Sequence, residues 1–187
     1  MGKPLSEMTL EELWELFPIT LCEHKDCWTA WYAEEERRIR GFLPVPDARI
    51  SHIGSTAVRG IWAKPIVDML LEIPETVSMD DVKTVLTSNG YLCMSEDERR
   101  KSFNRGYTSE GFAERVFHLH VRHRKDNDEL YFRDYLNDHH EVAKEYERLK
   151  LGLWKRYEHD RDGYTEAKTD FVRRWTAEAR RAYAGRY

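Results

Sequence analysis

Hydrophobic positions in the first forty residues recur every three or four places. Leu10, Leu13, Trp14 and Phe17 form one stripe, so residues 8–16 are predicted to form a short helix. Thr9 stands at its cap position and Pro18 stops it. Trp28, Trp31, Tyr32, Glu35, Ile39 and Phe42 form a second stripe, which predicts a longer helix over 25–42 with Asp26 at its start. Glu35 is an acid on an otherwise apolar face, and the reading is a partly exposed carboxylate paired with a nearby base. Pro44 and Pro46 then end the helical pattern.

At Arg49 the period changes to two. Residues 49–53 alternate as a strand, and 66–73 are apolar at nearly every position, which predicts a central strand covered on both faces. A turn of Gly54, Ser55, Thr56 and Gly60 joins them, and Pro65 keeps the chain extended. Residues 79–88 read as a helix opened at Ser78 or Met79 and closed by Asn89-Gly90. A strand follows over 91–94. Residues 95–114 are polar, with Arg99, Arg100, Lys101 and Arg105 bunched, and are expected to be an exposed hairpin or loop. Strand alternation returns at 115–122, with Val116, His118 and His120 on one face and Phe117, Leu119 and Val121 on the other.

Helical spacing resumes over 128–139, 141–157 and 164–183. Helices, then strands, then a block of helices give an α+β fold. The expectation is one domain over 1–187. A core of about 1–124 carries an N-terminal helix pair, and a helical tail of about 125–187 packs on it.

Composition narrows the class. The chain has 187 residues, enough for a real core, and its 6 Trp, 10 Tyr and 7 Phe argue against disorder. A net charge of −4 gives no global electrostatic case for nucleic acid or an anionic membrane. No apolar run reaches the roughly 20 residues of a membrane span. Cys22, Cys27 and Cys93 are an odd set without framework spacing, which fits a reducing, cytoplasmic compartment. Met1-Gly2 with Ser6 resembles a myristoylation start, but Pro4 and Glu7 make it a poor one.

The chemistry gathers at residues 50–73. Gly54 lets the backbone approach a phosphate, and Ser55 and Thr56 can donate to its oxygens. Asp68 is an acid in an apolar strand, costly to bury without a partner, and a carboxylate there can hold magnesium. Glu72 lies on the same face but roughly 13 Å away, too far to share an ion. His118 and His120 point the same way, roughly 7 Å apart, and with Asp68 would complete a site for a divalent metal, either magnesium or a transition metal. The alternative is one core histidine and one exposed. Lys64, Lys150 and Lys168 are candidates to neutralise phosphates, or else surface lysines paired with acids. His52 reads as structural.

The run from His52 to Gly60, followed by Ala63-Lys64-Pro65-Ile66-Val67-Asp68, resembles the signature of the GrpB family. Trp28 and Glu35 resemble its first helix and residues 117–121 its His-x-His strand. The stretch 132–136, Tyr146 with Leu149-Lys150, and Tyr164 with Lys168 resemble its helical tail. The resemblance implies a mixed sheet of the nucleotidyltransferase superfamily, with Gly54 and Ser55 as its phosphate element. The sequence departs from that superfamily at Leu70, where active members carry a second carboxylate, and from the family at Arg59, where proline is common.

The expected function is therefore metal-dependent transfer of a nucleotidyl group from a nucleoside triphosphate to an unknown small-molecule acceptor, with Asp68 catalytic. The alternatives are an inactive module that binds a nucleotide or phosphometabolite and a histidine-metal phosphohydrolase. A membrane partner is not expected, nor is nucleic acid.

Overall fold

Two strands that the turn reverses sit at one side of a mixed sheet. In the computed structural model, which describes residues 3–187, β1 (Arg49–Ile53) pairs antiparallel with β2 (Val67–Ile73), setting Ile53 opposite Asp68. The N-terminal Met1-Gly2 lies outside the described residues. On its other edge β2 runs parallel to β5 (Gly111–His123), with Asp68 opposite His118 and Leu70 opposite His120. Antiparallel β4 (Arg100–Thr108) and β3 (Leu92–Glu96) complete the order β1-β2-β5-β4-β3. The two central strands are those read from sequence.

The period of two sorts β2 between two cores. Val67, Met69, Leu71 and Ile73 join Phe117, Leu119 and Val121 in the main core, under α2 (Cys27–Phe42) and α3 (Met79–Ser88). Asp68, Leu70 and Glu72 point to the opposite face, where Leu70 packs with Ile53 and Leu130. That face is covered by α4 (Asp128–Asp138), α5 (His140–Trp154), the short α6 (Arg161–Glu166) and α7 (Thr169–Ala182). Val58 and Ile61, from the segment after the turn, enter the core between these helices with Tyr131, Tyr135 and Tyr146. The turn is thereby fixed on both sides.

Two of the three expected helix caps are made. Thr9 and Glu12 make a reciprocal capping box on α1 (Leu10–Leu16), and Ser78 accepts from the Asp81 amide. Asp26 departs from expectation: its backbone is already helical and its side chain makes no cap bond.

Three other expectations are corrected. Residues 95–114 do form hairpins, β3–β4 and β4–β5, but they are not exposed throughout, since β4 is an interior strand with Phe103 fully buried. Its charges hid it, because they are paired rather than solvated. Arg100 binds Asp126, Lys101 binds Glu96 and Asp80, and Arg105 binds Glu35. Glu35 is itself buried, at 4% exposure, where Arg38, Arg105 and Tyr91 surround it. The expected helix over 164–183 is two helices, broken at Ala167-Lys168. Asp160 caps the first by accepting from Gly163; Tyr164 is buried with the Lys168 ammonium over its ring, while Phe171 and Trp175 pack against α4 and α5. Among the described residues no helix is long and apolar enough to cross a membrane.

Candidate functional site

The site begins where β1 meets the turn. Gly54 takes φ +70°, and a Cβ there would stand 2.4 Å from Asp68 Oδ2. Glycine is required because the backbone crosses directly over the Asp68 carboxylate. After it a single 3-10 turn (Ser55–Ala57) parts the two hydroxyls. Thr56 is buried, with Oγ1 2.9 Å from His52 Nε2, while the Ser55 side chain lies against the Tyr146 hydroxyl. His52 stacks on Tyr32, and burial lowers its pKa to about 4. Thr56 and His52 thus brace the turn, and Ser55 faces the helical tail.

Beneath the turn, strand pairing brings the three predicted metal-site residues together. His118 Nδ1 is 3.2 Å from Asp68 Oδ1 and His120 Nε2 is 3.9 Å from the same oxygen. Burial opposes the charge on Asp68, but hydrogen bonds and charge from the two histidines outweigh it and hold the carboxyl well below its usual range. The Tyr107 hydroxyl lies 2.9 Å from His118 Nε2, and Ser102 Oγ lies 3.3 Å from His120 Nδ1. Burial lowers the His118 pKa. A neutral imidazole then accepts from Tyr107 at Nε2 and donates from Nδ1 to Asp68. The result is a hydroxyl–imidazole–carboxylate chain.

One carboxylate and two imidazoles are suitable donors for a divalent ion. As placed, they are spaced to hydrogen-bond one another. Among the described residues no group of three His, Cys, Asp or Glu side chains is arranged to hold a metal ion.

The three candidate lysines converge from three segments. Lys64 follows the turn, Lys150 ends a turn of α5, and Lys168 sits at the break between α6 and α7. Burial lowers Lys64 and Lys150 to about 7 and Lys168 to about 8, and Lys168 further depresses the other two. Lys150 is 2% exposed and donates to the Trp62 carbonyl. Glu147, one turn away, is taken by Lys144 and the Trp62 amide. Aromatic faces stand in for carboxylates. Lys150 lies 4.9 Å from the Tyr146 ring, and Lys168 and Lys64 lie 4.2 and 5.6 Å from the Tyr164 ring. The Tyr164 hydroxyl is buried without a partner. The result is a cluster of desolvated cations within electrostatic reach of Asp68, with the chemistry to hold a polyphosphate.

Glu72 lies elsewhere. It is 1% exposed, accepts from Asn127 and lies 3.6 Å from Arg49, so it is sealed under α4 and is no base for this site. Tyr107, Arg161 and the roles of Tyr146 and Tyr164 escaped the sequence reading. One signal was available: each tail lysine stands four residues after a tyrosine, Tyr146 before Lys150 and Tyr164 before Lys168, a spacing that stacks them on one helical face. A cavity of about 910 Å³ opens on the other side of the turn, with His24, His52 and Arg133 on its wall.

The family model described as GrpB protein matches residues 18–178. A UPF0157 protein of Pseudomonas aeruginosa is 37% identical over 150 residues, 79% of this chain and 62% of the relative. The UPF0157 protein YqkA of Bacillus subtilis is 28% identical over 95% of this chain and 52% of its own length. The chain therefore spans less than two thirds of the length of both. The crystal structure of the conserved protein GrpB from Enterococcus faecalis superposes with a TM-score of 0.75 at 26% identity, covering 88% of this chain and 99% of that one. The Cid1 poly(U) polymerase reaches a TM-score of only 0.48 at 14% identity over 76% of this chain and 44% of its own, too distant to carry an argument.

Proposed function

The chain belongs to the GrpB family, and on that premise we propose that it transfers a nucleotidyl group from a nucleoside triphosphate, with its magnesium counter-ion, to a small-molecule acceptor. The observation that carries this reading is the convergence of Lys64, Lys150 and Lys168 over the Tyr146 and Tyr164 rings and near Asp68, none of them in a salt bridge among the described residues.

In this reading the lysines and Ser55 hold the β- and γ-phosphates, and the unpartnered Tyr164 hydroxyl donates to one of their oxygens. The acceptor oxygen or nitrogen attacks the α-phosphorus, the bond to the bridging oxygen breaks, and pyrophosphate leaves on the lysines. The acceptor proton passes to Tyr107 as the Tyr107 proton moves to His118 Nε2. Asp68, already ionised, stabilises the imidazolium through Nδ1. The same donors, Asp68, His118 and His120, would suit a transition metal by their chemistry, which calorimetry with zinc or manganese on the full chain measures directly.

One observation favours a second reading, a module that binds the nucleotide without turning it over. Leu70, where a second carboxylate would stand, is fully buried against Ile53 and Leu130. The two readings separate in one experiment. With each triphosphate, magnesium and an acceptor panel, release of pyrophosphate that Asp68→Ala abolishes supports transfer. Nucleotide-dependent thermal stabilisation with no turnover overturns transfer and leaves the binding module.

A further inference from the structure

Three of the four large hydrophobic side chains most exposed among the described residues, Leu10, Leu92 and Met94, line one cleft of about 580 Å³. The volume suits a drug-sized molecule. Leu10, Leu13 and Trp14 of α1 line it, and Leu92 and Met94 of β3 form its floor. Tyr107, His118 and Arg161 also line it, with Asn104 and Asp162 among the other polar groups.

Strand register explains why the cleft opens on the candidate site. Leu92 pairs with Asn104, Asn104 with His118, and His118 with Asp68. Residues directly opposite one another share a sheet face, so the apolar floor and the acid–imidazole pair form one continuous row. Leu92 and Asp68 are three strand spacings apart, roughly 14 Å. Arg161 stands between the two compartments: it lies 5.6 Å from the Tyr107 ring on the cleft side, and its charge depresses Lys64 on the phosphate side.

We infer that the cleft is a binding site for a small amphipathic molecule with an aromatic or short alkyl body and a single hydroxyl or amine end, which is the acceptor in the reaction proposed above. The apolar body lies between α1 and β3, and the hydroxyl or amine reaches Tyr107 and His118. There its nucleophilic atom bonds to the α-phosphorus, pyrophosphate leaves, and its proton enters the Tyr107–His118 chain. The inference rests on the transfer reading for the word acceptor, and on the cleft alone for the ligand class.

The test uses the full chain labelled at methionine methyls, with tryptophol as the probe and glycerol as the polar control. Tryptophol is expected to shift the Met94 methyl resonance saturably while glycerol leaves it unmoved, and Leu10→Glu and Met94→Glu should each weaken tryptophol binding at least tenfold. Both positions are more than half exposed, so these variants keep the fold, and pyrophosphate binding at the lysines should stay as in the parent. Absence of a Met94 shift at saturating tryptophol, or binding that Leu10→Glu leaves unchanged, overturns the inference. So does a Met94 shift that tracks protein concentration with a change to dimer in sedimentation, which gives the cleft to a second copy. Saturable tryptophol binding with no turnover of any triphosphate upholds the ligand class and instead overturns the transfer reaction.

Discussion

Two buried lysines, one on a strand of the sheet and one on a helix that covers it, have opposite fates. Lys101 on β4 is 5% exposed, and its ammonium meets Glu96 at 2.9 Å and Asp80 at 3.0 Å. Those hydrogen bonds outweigh burial and raise its pKa. Lys150 on α5 is 2% exposed; it donates to a carbonyl and lies over an aromatic face, and the charges of Lys168 and Lys64 act on it against that of Glu147, itself held by Lys144. Burial lowers the Lys150 pKa to about 7. A buried cation with its counter-charge built in holds the fold together. A buried cation without one is a cost that the fold carries until an anion arrives, and that asymmetry locates function more sharply than either residue's burial.

The largest expected effect breaks the comparison on the functional side. Lys150→Met should weaken pyrophosphate or nucleotide binding by about 10–100-fold, the range of one charge-assisted hydrogen bond, while the unliganded protein keeps or gains thermal stability. Calorimetry and a melting curve on the same sample check both. A large loss of stability would mean that Lys150 is structural like Lys101.

Gly54→Ala comes next. The new Cβ would collide with Asp68 Oδ2 and the residue would be held at positive φ, so a destabilisation of about 2 kcal/mol is expected by denaturant titration. The displaced Asp68 should also lose its hold on His118, visible as a moved imidazole resonance.

A change of pH sharpens the contrast without any mutation. Lys64, Lys150 and Lys168 have folded pKa values of about 7, 7 and 8, below that of the unfolded chain. Between about pH 7 and the ordinary lysine value the unfolded chain binds more protons, so the stability of the unliganded protein rises with pH through that window. Anion affinity runs the other way, because the lysines lose charge. From pH 6 to 9, pyrophosphate affinity should fall about tenfold or more while the melting temperature without ligand climbs, apart from titrations elsewhere in the chain.

The smallest effect is on the structural side. Lys101→Met should cost about 1 kcal/mol, since Glu96 and Asp80 are partly to largely exposed and can be rehydrated, and it should leave pyrophosphate affinity unchanged. Chemical denaturation with parallel calorimetry measures the pair.

Local pattern alone marked β1 within its observed bounds and β2 to within one residue, because a short alternating run and an apolar run between turn residues leave few other readings. The same period of two placed His118 and His120 together on one face of β5, away from Phe117 and Leu119, and the structure keeps that division. It failed for β4. Burial there depends on partners brought from α2, α3 and the loop before α4, and in one dimension a paired charge reads like a solvated one.

The sequence by itself determined that an acid would lie beside a glycine turn and that two histidines would share a strand face, since both follow from chain geometry over a few residues. It also carried three lysines as candidates, without saying which lysine of this highly charged chain would meet an acid. Only the tertiary structure decided that. Charge pairing is a contact between segments distant in sequence, and the break at Ala167-Lys168 together with the docking of α5 on the turn left Lys64, Lys150 and Lys168 facing one another and Asp68 instead of a carboxylate of their own.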